Sequence, residues 1–193
     1  MVALPLIWIP LANFQTNVAK RWQQRARSCG DVFAQFFFYF AGFNALYFLW
    51  AQVDDIRNEK GQYVGEEKQI HNLIKRLSPS VSKQILEDLK ETLRFFMEHN
   101  PIQRMDRRNA QHPIDGQETE GAKWRRDLFM VDQGQRLLAL GSILYQIRCN
   151  LVHGGKIESG DDKEIITRAV PAVALLLDKC LAITESWLKE VES

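Results

Sequence analysis

Residues 132–156 read DQGQRLLALGSILYQIRCNLVHGGK, and this stretch decides the fold class. Leu137, Leu140, Leu144, Ile147 and Leu151 recur at steps of three and four, the seam of an amphipathic helix. Gly154 and Gly155 supply its stop, because glycine closes a helix in the left-handed conformation without a Cβ penalty. The spacing predicts a helix from about Asp132, with Arg148 and His153 in its last turns. Two readings of that pair are open. In one, Arg148 makes a surface ion pair and His153 meets the terminal carbonyls at the negative end of the helix dipole. In the other, the pair is chemical: an imidazole titrates near pH ~6.5 and can move protons, while a guanidinium stays charged and fits phosphate.

Working outward, Asp161 and Glu164 give a capping-box-like start to a final helix carrying Ile166, Val170, Val173, Leu177, Leu181 and Leu188, which Pro171 is expected to kink. Upstream, residues 99–122 hold Pro101, Pro113, Gly116 and Gly121 without apolar periodicity and are predicted to form a flexible insertion. That insertion carries Arg104, Arg107 and Arg108, and Lys123, Trp124, Arg125 and Arg126 follow directly. Cations with one aromatic are what a backbone-tracking, base-stacking RNA surface requires, and Lys156 joins them just past the motif. Asp106, Asp115, Glu118 and Glu120 dilute that signal.

Further back, Ser78 and Pro79 open a helix whose buried stripe is Val81, Ile85, Leu89, Leu93 and Phe96. Ile70, Leu73, Ile74 and Leu77 mark a short helix, and Asp55 to Gly65 a loop. Asp31 is the N-cap candidate for a helix to about Asp54 that is apolar nearly all round. Gln35, Asn44 and Gln52 interrupt its apolar run, so we read a central core helix rather than a membrane span. Asn44, set among Phe43, Leu46 and Tyr47, needs a hydrogen-bond partner. Residues 1–29 are expected to form an N-terminal arm, extended over 1–14 because Pro5 and Pro10 interrupt it, and then a short basic helix around Lys20, Arg21, Arg25 and Arg27.

The chain has 193 residues, 46% of them hydrophobic, enough for a single domain with a real core. A net charge of +1 neither advertises nor excludes RNA, so any binding surface must come from local clustering. Cys29, Cys149 and Cys180 are an odd number without CxxC spacing, which suggests no disulfide framework or thiolate zinc site and fits a reducing cytoplasm. His71, His99, His112 and His153 show no paired ligand spacing, so neither a metal nor another cofactor is expected. The whole reads as an all-α bundle of five to six helices.

Arg148, four intervening residues and His153 form the RxxxxH pattern, within IRCNLVHGGK at 147–156. Together with the aromatic segment FNALYFLW at 43–50 and the helix order, the chain resembles the HEPN superfamily from about Gly30 to Trp187. That resemblance implies a helical-bundle endoribonuclease that is metal-independent, with Arg148 and His153 catalytic. It also implies a cytoplasmic homodimer acting as a toxin or antiviral-defence effector. Asn150, Asn44, Tyr47 and Cys149 are the supporting candidates, and Cys149 stands where the family often has Asn, Asp or His. The same family includes non-catalytic modules that bind nucleotides or partners such as nucleotidyltransferase antitoxins. A five-residue step turns about 140° on an ideal helix, so Arg148 and His153 do not share a face of one straight helix. Either the helix end unwinds at the glycines, or a second protomer completes the site as in the family's dimers.

Overall fold

The computed structural model describes residues 8–99, 120–152 and 160–193, and all regular structure among them is helical. The elements are α1 (Ile9–Arg27), α2 (Val32–Val53), α3 (Glu66–Ile74), α4 (Pro79–Asp88), α5 (Lys90–Glu98), α6 (Glu120–Leu128), α7 (Gln133–Val152) and α8 (Gly160–Glu192). Eight helices among the described residues exceed the expected five to six, and each extra one has a local cause. The stripe Val81–Phe96 divides at Leu89, where φ −101° and ψ 13° interrupt the helix. Leu89 itself stays buried, so the apolar period runs through the break unchanged. Residues 120–122, expected to be the end of the flexible insertion, belong to α6. The rest of that insertion, 100–119, lies outside the described residues.

The N-terminal segment is not extended over its whole first stretch, because α1 already begins at Ile9. Pro10 sits in the first turn, where a helix needs no N–H from it. The final helix likewise starts at Gly160, so Asp161 lies inside its first turn rather than capping it. Pro171 falls within that single helix.

The chain divides into two compact units. The first takes the described residues up to Ser78 together with Val173–Ser193; the second is Pro79–Ala172. In the first, α2 is the centre. Asp31 caps it as expected, its Oδ1 accepting the Ala34 N–H at 2.7 Å. By length and composition α2 could cross a membrane, but Phe36, Phe40, Phe43, Leu46, Tyr47, Leu49 and Trp50 are buried within the protein. Alpha-1 meets it through a seam of small residues, Ala12, Thr16, Ala19 and Ala26. The basic run on α1 ties that helix to α8: Lys20 pairs with Glu185 at 2.5 Å and Arg27 with Asp178 at 3.3 Å. Arg25 lies over Phe38, 4.9 Å from the ring centre. On the α8 side, Trp50 Nε1 donates to the buried Thr184 Oγ1 at 3.0 Å, and Trp50 meets Trp187 edge-on.

In the second unit, α7 carries the core. Leu137, Leu140, Ile143, Leu144 and Ile147 are fully buried, joined by Ile85, Leu93 and Phe96 from α4 and α5 and by Ile166 and Ala169 from α8. Asp132 fixes where α7 starts, accepting the Gln135 N–H at 2.7 Å.

Gly42 marks the tightest approach. A Cβ there would lie 2.9 Å from Leu177 Cδ2 and 3.1 Å from the Ala19 carbonyl oxygen. Leu177 can turn aside; a backbone carbonyl on a buried seam cannot. Replacing Gly42 with alanine gains about 1 kcal/mol of helix propensity, which partly offsets the clash, but a branched side chain has no such compensation. Gly42→Val should therefore destabilise the fold by about 1 to 3 kcal/mol in denaturant unfolding. An unchanged midpoint would mean that α1 and α8 do not press on α2 there.

Candidate functional site

Four of the five residues of the motif-helix seam, Leu137, Leu140, Leu144 and Ile147, are fully buried, and the fifth, Leu151, is half-buried. This burial sets the rotation of α7 and so decides where the neighbouring side chains stand. Arg148, Cys149 and Asn150 each come out half-buried, one turn from the end of the helix. Asn150 Oδ1 accepts from Gln146 Nε2 at 2.8 Å, one helical turn earlier. Its own Nδ2 is buried and donates to nothing among the described residues. A buried donor without an acceptor costs about 1 to 3 kcal/mol. Cys149 is a free thiol, as are Cys29 and Cys180. Complete burial pushes the Cys180 thiol well above the ordinary range, leaving it inert. His153 and Lys156 lie outside the described residues, as do Arg104, Arg107 and Arg108.

The cationic segment before α7 is a helix, and this separates residues that look alike in a loop. Lys123, Arg125 and Arg126 are exposed, and Arg126 reaches Asp127 Oδ1 at 3.4 Å. Trp124 is not the stacking platform that the sequence suggests. It is only 6% exposed, and with Leu128 four residues on it forms the inward face of α6. The exposed cations remain candidates for phosphate contact; the aromatic belongs to the core of its unit.

In the first unit the amide at Asn44 finds its partners. Asn44 Nδ2 donates to Tyr47 Oη one turn along α2 and to Glu66 Oε1 at 3.4 Å, and the Tyr47 hydroxyl donates to the same carboxylate oxygen at 3.3 Å. Tyr47 is buried at 1% exposure, while Asn44 and Glu66 are half-buried. Glu66, in the first turn of α3, is the member of this cluster that sequence reasoning misses. Its only local signal is an acid after Gly65 at a helix start, which the helix dipole alone explains. Among the described residues no group of three or more His, Cys, Asp or Glu side chains is arranged to share a metal ion.

No family model, no curated protein and no solved structure matches this chain.

The burial of Trp124 separates two outcomes. Trp124→Ala should cost about 3 to 5 kcal/mol of stability, as large aromatic truncations do in a packed core. Lys123→Ala and Arg125→Ala, on the solvent face, should stay within about 0.5 kcal/mol of wild type. Thermal melts of the three variants check this, and a Trp124→Ala melt indistinguishable from wild type would put that side chain back on the surface.

Proposed function

We propose that this chain is a HEPN-type endoribonuclease that cuts RNA without a metal, through Arg148 and His153. The observation that carries the reading is the position of Arg148. It lies half-buried in the closing turns of α7, beside the fully buried Ile147, with His153 five residues on in the sequence. An arginine so placed is tethered by a packed helix, which holds its backbone fixed close to the end of α7.

The chemistry needs little else. The ribose 2′-hydroxyl loses its proton to an imidazole, and its oxygen bonds to the adjacent phosphorus. The P–O5′ bond breaks, and the 5′-oxygen leaves with a proton from an imidazolium. The products are a 2′,3′-cyclic phosphate and a 5′-hydroxyl. Through this sequence negative charge builds on the phosphoryl oxygens, where the fixed fork of the Arg148 guanidinium stabilises it. Asn150 is the supporting amide on the same helix. Two transfers are served most simply by two imidazoles, one from each protomer of a two-fold dimer. In this reading the protein is a defence effector held in check by an antitoxin.

Cys149, standing at a position where the family often has a polar side chain, favours a second reading: a non-catalytic module for nucleotides or for a nucleotidyltransferase partner.

Single-turnover cleavage of labelled RNA in EDTA distinguishes the two. Arg148→Ala and His153→Ala should each slow the reaction by a factor of about a hundred to ten thousand, the usual loss with a proton-transfer or charge-stabilising group. Each variant should keep a native circular-dichroism spectrum. Wild-type rates from either would return Arg148 and His153 to an ion pair and a helix cap, and leave the module reading. Light scattering should show a dimer at micromolar concentration; an active monomer would remove the two-protomer arrangement.

A further inference from the structure

The second unit contains an open cleft of about 470 Å³ lined by Thr92 of α5 and by Lys163, Glu164, Thr167, Arg168 and Pro171 of α8. Its volume is in the range of small-molecule sites and exceeds what one phosphate needs. Glu164, Thr167, Arg168 and Pro171 follow the i, i+3, i+4, i+7 spacing, so one face of α8 forms a wall. The donors in the cleft are the two cations and the Thr92 hydroxyl.

Arg168 is partly held in place. Its guanidinium carbon lies 5.5 Å from the centre of the Phe95 ring, and Phe95 stacks on His99 with centres 4.4 Å apart and an angle of 11°. A guanidinium backed by an aromatic ring loses less freedom when it binds an anion. The competing internal anion is weakly committed. Glu164 Oε1 is 3.9 Å from Arg168, and both side chains are about half exposed, so this pair is worth well under about 1 kcal/mol. An incoming anion that meets Arg168 can displace it.

The cleft also offers an acceptor. The Thr167 hydroxyl already donates to the Lys163 carbonyl at 2.7 Å and keeps lone pairs to accept with. Cations and a donor beside such an acceptor suit a ligand that is anionic at one end and carries hydroxyl donors a few ångströms away.

We infer that this cleft binds a ribonucleotide unit, with its phosphate at Arg168, a ribose hydroxyl toward Thr167, and Lys163 at the other edge of the cleft adding positive charge. The unit is either a free nucleotide or one residue of an RNA strand; only the strand form rests on the RNA-cutting reading.

The test is calorimetric titration of the full chain at low salt with uridine 5′-monophosphate, with uridine, and with an oligouridine that keeps its 2′-hydroxyls, the protein used with the oligomer carrying His153→Ala so that the strand is not cut. With the cleft intact, the protein should bind the monophosphate or the oligomer and not uridine. Lys163→Ala combined with Arg168→Ala should weaken that binding roughly tenfold or more, as removal of charge-assisted hydrogen bonds does. For the oligomer, the salt dependence should become shallower by about 0.7 for each phosphate that is no longer neutralised. Because Arg168 touches Phe95, the exposed Lys163→Glu variant serves as the second probe, and it should also lose affinity with an unchanged melt.

Oligomer binding alone, abolished in the variants, assigns the cleft to the strand. Monophosphate binding alone, also abolished there, assigns it to free nucleotide and counts against an RNA substrate. The inference is overturned if both variants bind as the intact cleft does, or if the intact cleft binds neither probe. RNA cleavage by the same wild-type protein would then still uphold the catalytic reading separately.

Discussion

The contact on which the first unit depends is the approach of α1 and α8 to α2 at Gly42, where no Cβ fits. Alpha-2 is apolar on nearly every side and stays out of water only when neighbours cover it all round. Small residues solve this on the α1 side, where Ala12, Ala19 and Ala26 are fully buried. On the α8 side, a hydrogen bond from the Trp50 indole to Thr184 satisfies a polar group that burial would otherwise penalise. The ion pairs of Lys20 and Arg27 with Glu185 and Asp178 lie at the surface and add little to this packing. They do give the helices a preferred pairing.

In the second unit the same logic connects packing to chemistry. The buried stripe of α7 fixes that helix in rotation, and any side chain off the stripe inherits a defined direction. Leu144 and Ile147, whose side chains are enclosed in the core, set that rotation for the turn that carries Arg148 and Asn150. A site built on a packed helix is positioned more precisely than one built on a loop. Thus the apolar period at residues 137–151 carries both the fold and the placement of the proposed catalytic arginine.

Much of this is legible in the sequence, for reasons that differ by element. Asp31 announces its helix because a short acid before a long apolar run has one economical use. The motif helix is legible from its seam. Pro10 misleads because proline breaks helices in the interior but begins them readily. The division at Leu89 is invisible because the apolar period continues across it. Trp124 groups with its cationic neighbours in a linear reading, which ignores the turn of α6 that buries it. Glu66 joins Asn44 and Tyr47 from 22 and 19 residues away, a pairing that only tertiary structure can make. The same is true of the cleft between Thr92 and Arg168, whose walls come from distant segments.

RNA cleavage of the proposed kind would leave a characteristic pair of ends. The most direct measurement is the 3′-terminus of fragments produced by wild-type protein in excess EDTA, resolved by mass spectrometry. Attack by the 2′-hydroxyl predicts 2′,3′-cyclic phosphate ends and 5′-hydroxyl partners, formed at the same rate with or without chelator. Fragments ending in 3′-hydroxyl, or cleavage that stops when divalent ions are removed, would contradict the account.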